Sequence, residues 1–131
     1  MTTTTSDLAP ETEALADRFV RSIEAGDVAG VGSCFGDGAV VWHNDDGITV
    51  PARKVLRVLG WLAAHVSDLR YDVSRRLTVT DGYVQQHVLR GIAPDGSELA
   101  LAACLIVRVE DGHITRIDEY LDSAATGALR G

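Results

Sequence analysis

Apolar residues at Leu15, Phe19 and Ile23 fall four apart, with Ala16 and Val20 beside them, which is the spacing of one buried helix face. Asp7 and Pro10 supply start signals for that helix, and Gly26 stops it. Asp27 is placed to cap a short second helix that buries Val28, Val31, Cys34 and Phe35. After Gly36, Asp37 and Gly38 the pattern predicts a brief strand at 39–43 and a polar loop at 44–47. Pro51 suits the first turn of a third helix, in which Val55, Leu59, Leu62 and Val66 form one stripe while Arg53, Arg57 and His65 lie mostly off it.

From residue 69 onward the helical period disappears. Four strands are expected, at 69–80, 83–92, 99–109 and 114–121, separated by Asp81-Gly82, Pro94-Asp95-Gly96 and Asp111-Gly112. Each separator has the chemistry of a hairpin turn. Helices first and a strand meander afterwards indicate the α+β class: one curved antiparallel sheet wrapped around N-terminal helices, cone-shaped with an internal pocket. The strand at 99–109 is apolar on both faces, so it needs cover on both sides. Helices can cover one side. A second copy of the chain is the simplest cover for the other, so a homodimer through the outer face of the sheet is expected.

With 131 residues, 46% of them hydrophobic and 24% charged, the composition fits one globular domain, assigned here to 10–131. Residues 1–9, with four consecutive threonines, offer nothing to bury and read as a disordered tail. No secretory signal or membrane-length apolar run is present in the sequence, which leads to the expectation of a soluble, cytoplasmic protein with no membrane partner. A formal charge of −7 argues against nucleic acid as a partner. Arg70, Arg75 and Arg76, the one local basic group, alternate with Tyr71, Val73 and Leu77 and are expected to form a solvated face. Cys34 and Cys104 lack metal-type spacing and read as two reduced core thiols.

The order of elements, the run Phe35-Gly36-Asp37-Gly38-Ala39-Val40-Val41-Trp42-His43 and the run Glu110-Asp111-Gly112-His113-Ile114 together resemble the nuclear transport factor 2-like superfamily, in its SnoaL-like and ketosteroid isomerase-like group. The resemblance extends from about residue 10 over nearly the whole chain. It implies a cone with a deep apolar pocket for a hydrophobic small molecule, worked without cofactor or metal. By the same resemblance His43 stands where an isomerase has its proton-shuttling Asp, whereas Phe19 and Leu105 stand where the isomerase has its two oxyanion donors. An enolate without such donors loses several kcal/mol of stabilisation, so isomerase chemistry of the known type is not expected. Against the epoxide hydrolases, Glu119 keeps the carboxylate of their last Asp and His43 takes the place of their Asn, while the remaining acid and its Arg have only Gln85, Gln86, His87 and Arg90 as counterparts. Both comparisons turn Glu119 inward with Ile117 and Leu121, and Asp118, Tyr120 and Asp122 outward.

The candidate catalytic residues are therefore His43, Glu119 and His87. A histidine exchanges protons in either direction near neutral pH, and a carboxylate opposite it fixes the imidazole tautomer or serves as base. A plainer alternative for Glu119 is pairing with Arg90 or Arg116. Strand parity leaves His87 open: it points into the pocket if Gln85 and Leu89 do, and into the dimer interface if Val84, Gln86 and Val88 face inward instead. Substrate contacts are expected from Trp42 and Trp61 as aromatic walls, from Gln85 as a hydrogen-bond donor and from Phe19 and Leu105 as apolar lining. Asp45 and Asp46 belong to a loop that can close over the entrance, and His65 and His113 read as a helix-face and a turn residue. Two histidines and a carboxylate also make a facial-triad donor set, but nothing in the spacing requires a metal. The expected activity is isomerase, cyclase or hydratase/hydrolase chemistry on a hydrophobic, cyclic molecule. The rival is a binding or subunit-pairing module without chemistry.

Overall fold

A computed structural model describes residues 10–126, so the expected tail at 1–9 lies outside the described residues. Helix α1 (Pro10–Glu24) buries the stripe that the spacing marks, Leu15, Ala16, Phe19, Val20 and Ile23. Gly26, at φ +70°, turns the chain out of it in a conformation that disfavours any side chain. Asp27 then caps α2 (Val28–Cys34), its carboxylate accepting from the Gly30 N–H at 2.9 Å.

Strand β1 (Phe35–His43) starts four residues before the expected strand, and Phe35 belongs to it rather than to the helix. The register along β1 shifts between Phe35 and Val40, where Gly38 takes φ +73°. A bulge at this point lets the strand run through glycines that read as a loop. The next strand, β2 (Thr49–Pro51), was not expected and pairs with β1. Pro51 is extended, at φ −62° and ψ 145°, and caps α3 (Ala52–His65) rather than filling its first turn.

Four long strands follow: β3 (Ser67–Val79), β4 (Gly82–Ile92), β5 (Glu98–Glu110) and β6 (His113–Leu121), with a 3₁₀ turn at Ser123–Thr126. The expected turns separate them. Asp111 and Gly112 both have positive φ, 51° and 76°, as the tightest hairpin turn requires. The sheet order is β2-β1-β6-β5-β4-β3. Its one parallel pair is β1 with β6, so the curved, unclosed sheet is mixed rather than wholly antiparallel. The whole meander separates these two strands in sequence, which supplies the long crossover that a parallel pair needs. In this pair His43 lies opposite Glu119.

The interior has two parts. At one end α1 and α2 press Leu15, Phe19, Ile23 and Val31 onto Val41, Leu105, Val107 and Ile117 of the sheet. At the other end α3 brings Leu62 against Leu89, Leu99 and Leu101, with Leu59, Tyr71 and Leu121 packed around them. The second cluster borders the cavity described below.

Of the solvated arginine face expected on β3, Arg70 and Arg75 are exposed, but Arg76 is turned inward. A bulge between Val73 and Arg75 inserts an extra residue, after which Arg76 stands opposite Gln85 and Thr78 opposite Tyr83. The Arg76 side chain is only 11% exposed, while Leu77 and Val79 emerge on the outer side. Strict alternation counted through a bulge assigns every later residue to the wrong face. Ile106 and Tyr120 also stand exposed on the outer face. Cys104 shares that face and is half-buried, so of the two free thiols only Cys34 is in the core.

Candidate functional site

Strand β4 decides the parity that the sequence left open. Tyr83, Gln85, His87 and Leu89 are all buried, so His87 faces inward. On the paired strands β1 and β6, His43 and Glu119 project to the same side and meet: His43 Nε2 and Glu119 Oε1 are 2.9 Å apart. About a quarter of each side chain remains exposed. Neither Arg90 nor Arg116 takes Glu119, because Arg90 binds Asp72 and Arg116 binds Asp118.

The pair opens onto a cavity of about 440 Å³, within the size range of small-molecule sites. Its walls are Val55, Val58, Leu59 and Leu62 of α3 on one side and Leu89, Leu101 and Leu121 of the sheet on the other. Tyr71 and Trp61 add aromatic surface, and Asp45 and Asp46 from the loop after β1 stand at the wall beside His43. Trp61 is 40% exposed and stacks on His65. Among the described residues no lysine or arginine lines this cavity.

The two inward histidines are pushed in opposite directions. The hydrogen bond to Glu119 raises the His43 pKa above its ordinary 6.5; the charges of Glu119, Asp45 and Asp46 add to this, and partial burial opposes it. Burial is the main cause that lowers the His87 pKa; Glu119 pulls it upward by less, and Arg76, the smallest influence, lowers it. Burial also raises the Tyr71 phenol, with Glu119 the next cause, so it keeps its proton. Tyr71 meets His87 edge to face, ring centroids 4.7 Å apart, and of the two only Tyr71 lines the cavity.

Behind His87 runs a chain of polar contacts from the sheet to α1. Gln85 Nε2 lies 3.0 Å from His87 Nδ1. Gln85 Oε1 accepts from Arg76 Nε at 3.0 Å and Nη2 at 2.8 Å. Arg76 Nη1 continues to Asp17 at 2.7 Å, with Glu13 at 3.6 Å. Gln85 is wholly buried and both ends of its amide are engaged.

The expected substrate contacts divide accordingly. Trp61 lines the cavity, as do His43 and Glu119. Trp42 does not: it alternates with His43 on β1 and packs against Tyr120 on the outer face, centroids 5.1 Å apart. Gln85 is not a cavity donor but a support for His87. Phe19 is buried in the helical core edge to face with Phe35, and Leu105 is buried beside it, both away from the cavity wall. His87 is inward and in contact with Tyr71 but does not itself line the cavity. Sequence reasoning missed Tyr71 and Arg76 as site residues. The available signal was the Arg75-Arg76 pair, which breaks two-residue alternation and marks a bulge.

Among the described residues, no three or more His, Cys, Asp or Glu side chains gather closely enough to hold a metal ion. No helix among them is long and apolar enough to cross a membrane.

The family model of the SnoaL-like domain matches residues 16–117. No curated protein matches the chain in sequence. Among solved structures, an epoxide hydrolase of the LEH-like type from M. tuberculosis superposes with a TM-score of 0.74 at 20% identity, over 93% of this chain and 92% of that one. PrhC from Penicillium brasilianum gives 0.80 at 12% identity, over 92% and 85%. A protein with a ketosteroid isomerase-like fold from Catenulispora acidiphila gives 0.70 at 12% identity, over 81% and 83%. At these identities the likeness is one of fold.

Proposed function

The chain belongs to the SnoaL-like domain family, and from that premise we propose that it is an enzyme acting on a hydrophobic, ring-containing molecule by general acid/base chemistry at His43 and Glu119. The observation that carries this reading is the 2.9 Å pair of these side chains at the wall of an apolar cavity. Glu119 engages Nε2, so Nδ1 is the nitrogen left to exchange a proton. The upward shift of its pKa favours the protonated form of His43, which donates to an oxygen of the substrate. The resulting neutral imidazole then takes a proton from the carbon beside the carbonyl, which gives the enol, or from a water as it adds, which gives the hydrated product. Tyr71, protonated in the same cavity, supplies a hydrogen bond to the developing oxyanion that Phe19 and Leu105 cannot give.

The lining also selects by charge. Glu119, Asp45 and Asp46 against the one histidine of the lining leave the wall negative whether or not His43 carries its second proton. Neutral or cationic ligands are favoured over carboxylates and phosphates. On the far side of the sheet, exposed Leu77, Val79, Ile106 and Tyr120 support pairing with a second copy.

The test is a panel of cyclic hydrophobic ketones and epoxides, followed for proton exchange beside the carbonyl in deuterated water and for hydration. Turnover by the wild type should fall by about 10²-fold or more in His43→Ala. Binding without turnover would support the rival, non-catalytic reading, and undiminished turnover in His43→Ala would remove His43 from the chemistry.

A further inference from the structure

His87 is buried at the inner face of the sheet with no role in the dyad, and its immediate partner is a glutamine whose other end is held by an arginine. Arginine has only donors. The end of the Gln85 amide that faces Arg76 must therefore be its oxygen, and the end that faces His87 must be its NH₂ group. An NH₂ group can only donate here, so His87 Nδ1 must accept and carries no proton. The single proton of the ring then sits on Nε2.

We propose that Arg76 and Gln85 are positioning residues that hold His87 as a neutral imidazole with its proton on Nε2, leaving His43 as the one histidine of the cavity free to change charge. Protonating His87 at Nδ1 would set an N–H against the Gln85 NH₂ group. Turning the amide over to relieve that contact would set the NH₂ group against the Arg76 guanidinium. Asp17 and Glu13 on α1 anchor Arg76 in turn, which ties the state of the ring to the packing of the first helix on the sheet.

The charged and titratable groups acting on His87 are Arg76 and Tyr71 from β3 and Glu119 from β6, while its β5 neighbour in register, Ala103, is uncharged. Glu119 favours the imidazolium, whereas burial and Arg76 oppose it, so the net direction agrees with the hydrogen-bond logic. Two like groups pushed apart in this way take different roles in proton transfer. The consequence for catalysis rests on the function proposed above; the protonation state of His87 does not.

Long-range ¹H–¹⁵N spectra of the labelled full chain, followed from pH 5 to 8, read the state of each ring, with His87 assigned by its loss in His87→Asn. The wild type should show the neutral His87 ring with its proton on Nε2, taking up a second proton only below 6.5, while His43 titrates above 6.5. Gln85→Glu replaces the NH₂ group by an acceptor, so the proton should move to Nδ1 and the ring should titrate at a higher pH than in the wild type. Arg76→Met frees the amide to turn and should give a mixture of both tautomers. A wild-type His87 that titrates near 6.5 or carries its proton on Nδ1 overturns the proposal, even if neither variant folds. So does a folded Gln85→Glu with an unchanged ring. Absence of turnover on any substrate would count against the enzymatic reading without touching this result.

Discussion

At the scale of single residues, the opposed behaviour of the two histidines follows from what each faces. His43 gains a carboxylate partner, so its folded pKa lies above the 6.5 of the unfolded chain. The stability it contributes is fully present below 6.5 and is lost as pH rises through the folded value. His87 is the reverse case: burial depresses its folded pKa below 6.5, so its contribution is present above 6.5 and fades as pH falls through the folded value. In Glu119→Gln the upward pull on His43 is removed, and its pKa should drop toward 6.5 in an NMR titration. Because both partners are partly exposed, urea unfolding of that variant should show a loss of only about 1 kcal/mol. A His43 titration unchanged by the substitution would mean that the pair does not form in solution. His43 and Glu119 were legible as candidates because the resemblance to the isomerases and epoxide hydrolases turns both toward the pocket, and because an imidazole and a carboxylate are the residue types that move protons near neutral pH. Trp42 misled for an equally local reason: it adjoins His43 in sequence, and adjacent strand residues point to opposite faces.

At the scale of elements, the helices and hairpins were legible because their signals are local. The four-residue spacing of Leu15, Phe19 and Ile23 and the glycine-bearing turns act within a few residues of themselves. Bulges and long-range pairing are not local. The β3 bulge reverses the faces of Arg76 and Leu77, and β2 forms only because β1 offers it an open edge. Those two features carried most of what the sequence did not show, including the polar chain behind His87. The hairpin between β3 and β4 gives the sharpest element-level prediction. A Cβ on Gly82 would be driven into the Val107 carbonyl oxygen of β5, with backbone rather than a flexible side chain in the way. Gly82→Ala should therefore cost about 2–4 kcal/mol in urea unfolding, with the loss of stability reflecting a displaced β4 edge. A cost within about 0.5 kcal/mol, the range of ordinary surface changes, would show that the hairpin yields more easily than its packing implies.

At the scale of the whole molecule, one sheet serves two different surfaces. Its concave side is packed at the α1 end and hollow at the α3 end, and the hollow end is where β1 and β6 deliver His43 and Glu119. Its convex side carries exposed Leu77, Val79, Ile106 and Tyr120. Sedimentation should give the mass of two chains for the wild type, and Ile106→Asp should give one chain with the fold retained, because a buried unpaired charge is incompatible with an apolar interface. A monomeric wild type at micromolar concentration would leave that surface to another use. The general architecture was readable from the order of elements, but the location of the hollow was not, since it depends on where α3 stops filling the sheet. The most direct test of the central claim is a crystal structure with a neutral or cationic hydrophobic ring compound bound. The account predicts the ring between α3 and the sheet, with a polar atom within roughly 3 Å of His43 or Glu119; a ligand seated elsewhere, with the two side chains still closed on each other, would contradict it.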